Sequence, residues 1–64
     1  MSAITMLGKE IKVGNGDAAA TTFSDGTVLL TFSIPGIRLS LYMSREEAAA
    51  LAGELLDAAN QEAA

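Results

Sequence analysis

The side chains of this 64-residue chain able to act on a substrate are its Ser and Thr hydroxyls, Lys9, Lys12, Tyr42 and eight carboxylates. It has no His and no Cys. A hydroxyl is a weak nucleophile until a neighbouring base takes its proton, and His is the usual base. Without Cys there is no thiolate, no disulfide and no Cys-ligated zinc. The glycine-containing stretches do not replace that chemistry. "GKE" at 8–10 lacks the upstream glycine and the following Ser or Thr of a P-loop. "GNGDAAA" at 14–20 lacks the third glycine and the helix of a dinucleotide loop, and reads better as a hairpin turn. "DAAATTFSD" lacks the acidic spacing of a calcium loop. The expectation is a protein that is not an enzyme and carries no metal or cofactor.

The carboxylates are unevenly placed. Lys9, Lys12 and Arg38 balance Glu10, Asp17 and Asp25 in residues 1–43. In residues 44–64, Arg45 stands against Glu46, Glu47, Glu54, Asp57 and Glu62, so the whole net charge of −4 lies there. Direct nucleic-acid binding needs a basic stripe to neutralise phosphates, and this chain has none. Glu54 and Asp57 are neighbours on one helical face, and Glu47 is two turns before Glu54. Three uses are open: an acid–base pair, a solvated outer face with one capping residue, or an acidic surface that mimics phosphates in another protein's basic groove.

The elements that must position these groups are legible from turns and periodicity. "GNGD" at 14–17, "SDG" at 24–26 and "PG" at 35–36 are turn signals between runs of apolar alternation. Thr27–Ile34 places Val28, Leu30, Phe32 and Ile34 on one face, and Ile37–Tyr42 places Ile37, Leu39 and Leu41 on one face. A two-residue Pro35-Gly36 loop pairs Ile34 with Ile37 and Leu30 with Leu41; since Pro suits tight hairpins poorly, a wider loop with a bulge is the alternative. Upstream, a two-residue Asp25-Gly26 turn would pair Phe23 with Val28 and bring Phe23, Thr21 and Ala19 to the core face. A three-residue Gly14-Asn15-Gly16 loop would set Val13 against Asp17 and Ile11 against Ala19. Residues 3–7 would continue that strand through a break at Gly8.

"SREE" at 44–47 is a capping box that starts a helix. Ala48, Leu51, Ala52, Leu55 and Ala59 form its apolar stripe. The tail "NQEAA" is expected to fray. The predicted architecture is α+β, a single domain over residues 1–64. It is a four-stranded antiparallel meander with one C-terminal helix packed on one sheet face. Its expected core is Ile11, Val13, Phe23, Val28, Leu30, Phe32, Ile34, Ile37, Leu39, Leu41, Leu51 and Leu55.

One helix leaves the other sheet face open. There Ser33 faces Arg38, Thr31 faces Ser40 and Leu29 faces Tyr42. The Leu29–Tyr42 pair either braces the hairpin or, with Arg38, meets a partner. The candidate partner-binding residues are therefore Leu29, Arg38 and Tyr42 on the sheet, and Glu46, Glu54 and Asp57 on the helix.

No run approaches the roughly 18 apolar residues of a membrane helix. "MSAITMLGKE" lacks a basic start and a continuous apolar stretch, so no signal peptide and a cytoplasmic location are expected. In size, in acidity confined to "SREEAAALAGELLDAANQE" and in lack of catalytic equipment, the chain resembles small phage inhibitors, anti-CRISPR proteins in particular. That resemblance implies a stoichiometric inhibitor that binds a nucleic-acid-binding complex, in the cytoplasm of a host cell, and blocks access of nucleic acid. The alternative is a homodimeric structural or scaffold domain whose sheet faces pair.

Overall fold

The chain is described from a computed structural model, which describes residues 3–61. It is α+β: β1 (Ile4–Leu7), β2 (Ile11–Val13), β3 (Gly16–Phe23), β4 (Val28–Ile34) and β5 (Ile37–Met43) precede α1 (Arg45–Ala59). All strand pairs are antiparallel. The sheet holds five strands, not the expected four, but it is only four strands wide. Both β1 and β2 pair with the same edge of β3, which pairs on its other side with β4, and β4 with β5. The predicted break lies between these two pieces. There the Gly8 amide donates to the Ala20 carbonyl at 2.7 Å.

The β4–β5 hairpin has the expected register throughout, from Val28 opposite Met43 to Ile34 opposite Ile37. Its loop is the two-residue Pro35-Gly36. Gly36 has φ 86°, the value a type II turn requires after Pro. Alternation then does the rest, since any one-residue slip would turn one strand's apolar set over.

Strand β3 departs from expectation by one residue on each side. Thr22, not Phe23, is opposite Val28, and Ala20 is opposite Leu30. The cause is the loop. The Phe23 amide donates to the Thr27 carbonyl at 2.8 Å, and the Gly26 amide donates to the Phe23 carbonyl at 3.0 Å. Ser24-Asp25-Gly26 is thus a three-residue loop with Gly26 in the left-handed region at φ 91°, the turn-plus-bulge form favoured for this length. The Asp25 carboxylate accepts from the Thr27 amide at 2.9 Å and steadies it. Phe23, Thr21 and Ala19 consequently point away from the helix-bearing face, and Ala18, Ala20 and Thr22 take their place.

The β2–β3 loop is also one residue different. Val13 is opposite Gly16 and Ile11 opposite Ala18, leaving Gly14-Asn15 as a two-residue loop. The two shifts cancel for β2. Ala18 lies opposite Phe32, so Ile11 and Val13 keep the face expected of them.

The helix begins as its sequence requires. The Ser44 hydroxyl accepts from the Glu47 amide at 3.1 Å, and the Glu47 carboxylate accepts from the Ser44 amide at 2.8 Å. Asn60 follows the last turn. Of the tail expected to fray, residues 62–64 lie outside the described residues.

The helix-bearing face, called inner below, is only partly covered. Ala48, Leu51, Ala52 and Leu55 stand across a cleft of ≈ 180 Å³ from Ala20, Val28, Leu30 and Met43. No residue of α1 is buried, and Ala18 is the sole buried apolar residue among those described. The expected twelve-residue core is thus correctly grouped, apart from Phe23, but is not enclosed: Ile37 is 61% exposed and Leu39 53%.

Gly16 is buried in β3, and a Cβ there would meet the Ser33 carbonyl oxygen and the Ile34 side chain. Gly16→Ala is expected to destabilise the fold by about 1–3 kcal/mol, the usual cost of overpacking. Ser44→Ala is expected to cost about 1 kcal/mol through the lost cap. Urea midpoints at one fixed protein concentration check both, and an unchanged midpoint for either contradicts the corresponding contact.

Candidate interaction surfaces

The sheet's outer face is built by residues that alternate away from the helix. Across its middle, Thr21, Leu29 and Tyr42 lie in one row. Asp17, Ser33 and Arg38 form a second row towards the other end, with Lys12 opposite Asp17 on the edge strand. The structure brings Leu29 and Tyr42 together as the sequence indicates. Arg38 shares their face but is four residues from Tyr42 along β5, about 14 Å at strand rise.

Phe23 joins this surface because of the three-residue loop. Its ring centroid lies 6.3 Å from that of Tyr42, with the planes tilted by 33°. The two residues sit on β3 and β5, so their side chains reach towards each other over β4. That separation lies within the roughly 4.5–7 Å range of favourable aromatic pairs. Phe23 is half-buried, whereas Tyr42 remains 70% exposed. Beside them Asp25 and Thr27 complete a shallow hollow of ≈ 280 Å³. On β1, Ile4 pairs with Phe23 and Leu7 with Thr21, which extends the apolar area towards the edge. Ser24 anchors that edge: its amide donates to the Ala3 carbonyl at 2.7 Å, and its hydroxyl accepts from the Ala3 amide at 3.1 Å.

Sequence reasoning misses Phe23 as a surface residue. The signal that finds it is "SDG" itself. Asp before a Gly able to adopt positive φ suits a turn with a following bulge as well as a two-residue turn.

The acidic candidates form a separate surface. Glu46 and Asp57 are eleven residues apart, close to three helical turns, so they align along the axis about 16 Å apart. Glu54 lies one turn before Asp57 on an adjoining row. All three are exposed and sit on the side of α1 away from the Ala48–Leu51–Ala52–Leu55 stripe. Among the described residues none of the three carboxylates makes an ion pair or hydrogen bond. Glu47 is different, because its carboxylate is engaged at Ser44. The six candidates therefore divide between two surfaces, which adjoin at the start of α1, where Tyr42 and Glu47 line one hollow with Asp25, Gly26, Thr27, Met43 and Ser44. Leu29, Arg38 and Tyr42 lie on the outer sheet face, and Glu46, Glu54 and Asp57 lie on the far side of the helix.

Among the described residues no three His, Cys, Asp or Glu side chains cluster as metal ligands would. No helix among them is long and apolar enough to cross a membrane. No family model, curated protein or solved structure matches the chain.

The Phe23–Tyr42 contact is measurable by a double-mutant cycle. Phe23→Ala, Tyr42→Ala and the double variant, unfolded in urea, are expected to show a coupling of about 0.5–1.5 kcal/mol. Additive effects of the two substitutions would mean that the rings do not support each other.

Proposed function

We propose that this chain is a non-enzymatic, stoichiometric protein-binding inhibitor that occupies a nucleic-acid-binding surface on its target. This is the role implied by its resemblance to small anti-CRISPR-type phage proteins. The supporting observation is the carboxylate row of Glu46, Glu54 and Asp57, which is exposed, without ion-pair partners among the described residues, and carried on a rigid capped helix. A groove that binds phosphates is lined by Lys and Arg, and a fixed row of carboxylates presents it with charge of the sign it selects. The helix supplies the spacing and the capping box holds its first turn. The outer sheet face is a second contact area, which adjoins the start of the helix where Tyr42 and Glu47 line one hollow.

A homodimeric structural domain is the second reading. The observation that favours it is the exposure of the inner face, at Ile37 and Leu39 above all.

Affinity capture on the tagged chain, from a lysate treated with nuclease, identifies the target. Binding to that purified target then tests the mechanism. Nucleic acid is expected to displace the chain. Glu54→Lys with Asp57→Lys is expected to weaken binding by about tenfold or more, since like charges in a basic groove repel. Binding that survives both charge reversals and excess nucleic acid removes this reading.

A further inference from the structure

The inner face has more apolar surface than one chain covers. Helices pack about 8–10 Å apart, while strands lie about 4.8 Å apart. One helix therefore screens about two strands, and this sheet is four wide with a single helix. That helix stands over Ala20, Val28, Leu30 and Met43. The opposite end of the same face is left bare, with Ile34 44%, Ile37 61% and Leu39 53% exposed, and Ile11 59% exposed on the edge strand. On the helix, Leu55 and Leu56 are each 63% exposed.

The surface of the whole chain sets an upper bound on the deficit of this face. The accessible area is 5202 Å². A compact monomer of 6.6 kDa exposes about 3,900 Å², so the excess is about 1,300 Å². The radius of gyration, 13.3 Å, likewise exceeds the roughly 11 Å of a compact domain of this length. If each of two chains buried that excess against the other, the interface would total about 2,600 Å², which lies within the range of obligate homodimers.

We infer that the inner face is the dimer interface of this protein, and that its occupant is a second copy of the same chain. The face fits a copy of itself. It offers one bare half-sheet and one helix whose apolar stripe is incompletely used, so a two-fold axis sets each helix against the other chain's bare half. Gly16 and Ala18 are already buried between Ile11 and Val13 on one side and Phe32 and Ile34 on the other, so the surface offered to a second chain is the tops of those larger side chains. The electrostatics agree as well. Lys12, Asp17 and Arg38 alternate onto the outer face, and Glu46, Glu54 and Asp57 lie beyond the helix, so two chains of like net charge meet through uncharged surface. The chain contains no Cys to staple the fold, and association is one of the routes by which a short domain without a staple gains burial.

This inference stands apart from the proposed inhibitor role, because the interface is neither the acidic row nor the outer face. Sedimentation of the intact chain at micromolar concentration is expected to give a particle of about twice the 6.6 kDa chain mass, with a melting temperature that rises with protein concentration. A folded monomer with a concentration-independent melting temperature overturns the inference. The face is checked without any variant, by isotope-filtered NMR on a mixture of labelled and unlabelled chains. Contacts between chains are expected from the Leu39 and Ile37 methyls to those of Leu55 and Leu56. Contacts between chains centred on Tyr42 and Leu29 instead would also overturn it. Leu39→Lys is expected to abolish the dimer, whether as a monomer or by unfolding, while Tyr42→Lys keeps it. A Leu39→Lys variant that remains dimeric refutes the assignment. Target binding lost on Glu54→Lys in a chain that stays dimeric tests the inhibitor role alone.

Discussion

One backbone hydrogen bond at the β3–β4 loop controls most of what this molecule presents to its surroundings. The Gly26 amide reaches back to the Phe23 carbonyl, and Gly26 accepts φ 91°, which costs a residue with a Cβ far more. The loop therefore holds three residues, and β3 enters the sheet with Thr22 opposite Val28. Every side chain from Gly16 to Phe23 has its face decided by that event. Phe23 goes outwards to meet Tyr42. Gly16, Ala18 and Ala20 turn inwards, which leaves a strip of small residues along the inner face, with only its Ala20 end across from the helix.

The small strip explains the unusual distribution of burial. Gly16 and Ala18 are the buried residues of the sheet because larger neighbours on β2 and β4 rise on either side of them. Of those neighbours Ile11, Val13 and Ile34 have nothing above them and stay exposed, while Phe32 is half-buried. A helix anchored directly to the end of β5 through Ser44 can cover the Val28–Met43 end of the face, and a single helix has no further reach across four strands. The fold is thus locally well made, with cap, turns and ladders satisfied, while its apolar layer is left open. Separation of the charges follows from the same alternation. Polar residues occupy the outer rows, carboxylates occupy the far side of the helix, and the inner layer carries none.

Local features were legible in the residues alone wherever one interaction dominated. The β4–β5 register follows from alternation on both strands, since a slip would expose one entire apolar set. The helix start follows from Ser44 and Glu47, which satisfy each other's backbone amides within four residues. The pairing of Leu29 with Tyr42 and the outward placement of Glu46, Glu54 and Asp57 descend from those two facts. The register of β3 was not legible, because "DAAATT" has small or β-branched residues on both faces. Its periodicity prefers neither side, so the turn decides, and "SDG" is compatible with loops of two or three residues.

What the sequence determined by itself is therefore local: the strands flanking Pro35-Gly36, the capped helix, the lack of a Cys or His for chemistry, and the collection of net negative charge in the last third. Each rests on residues within a few positions of one another. Tertiary structure alone decided that Phe23 is an outer-face aromatic, and that Ala18, Ala20 and Thr22 rather than Ala19, Thr21 and Phe23 face the helix side of the sheet. It also decided that the apolar layer is wider than one helix. These depend on how many residues a loop holds and how far a helix reaches across a sheet, which are distances in space that no spacing along the chain encodes.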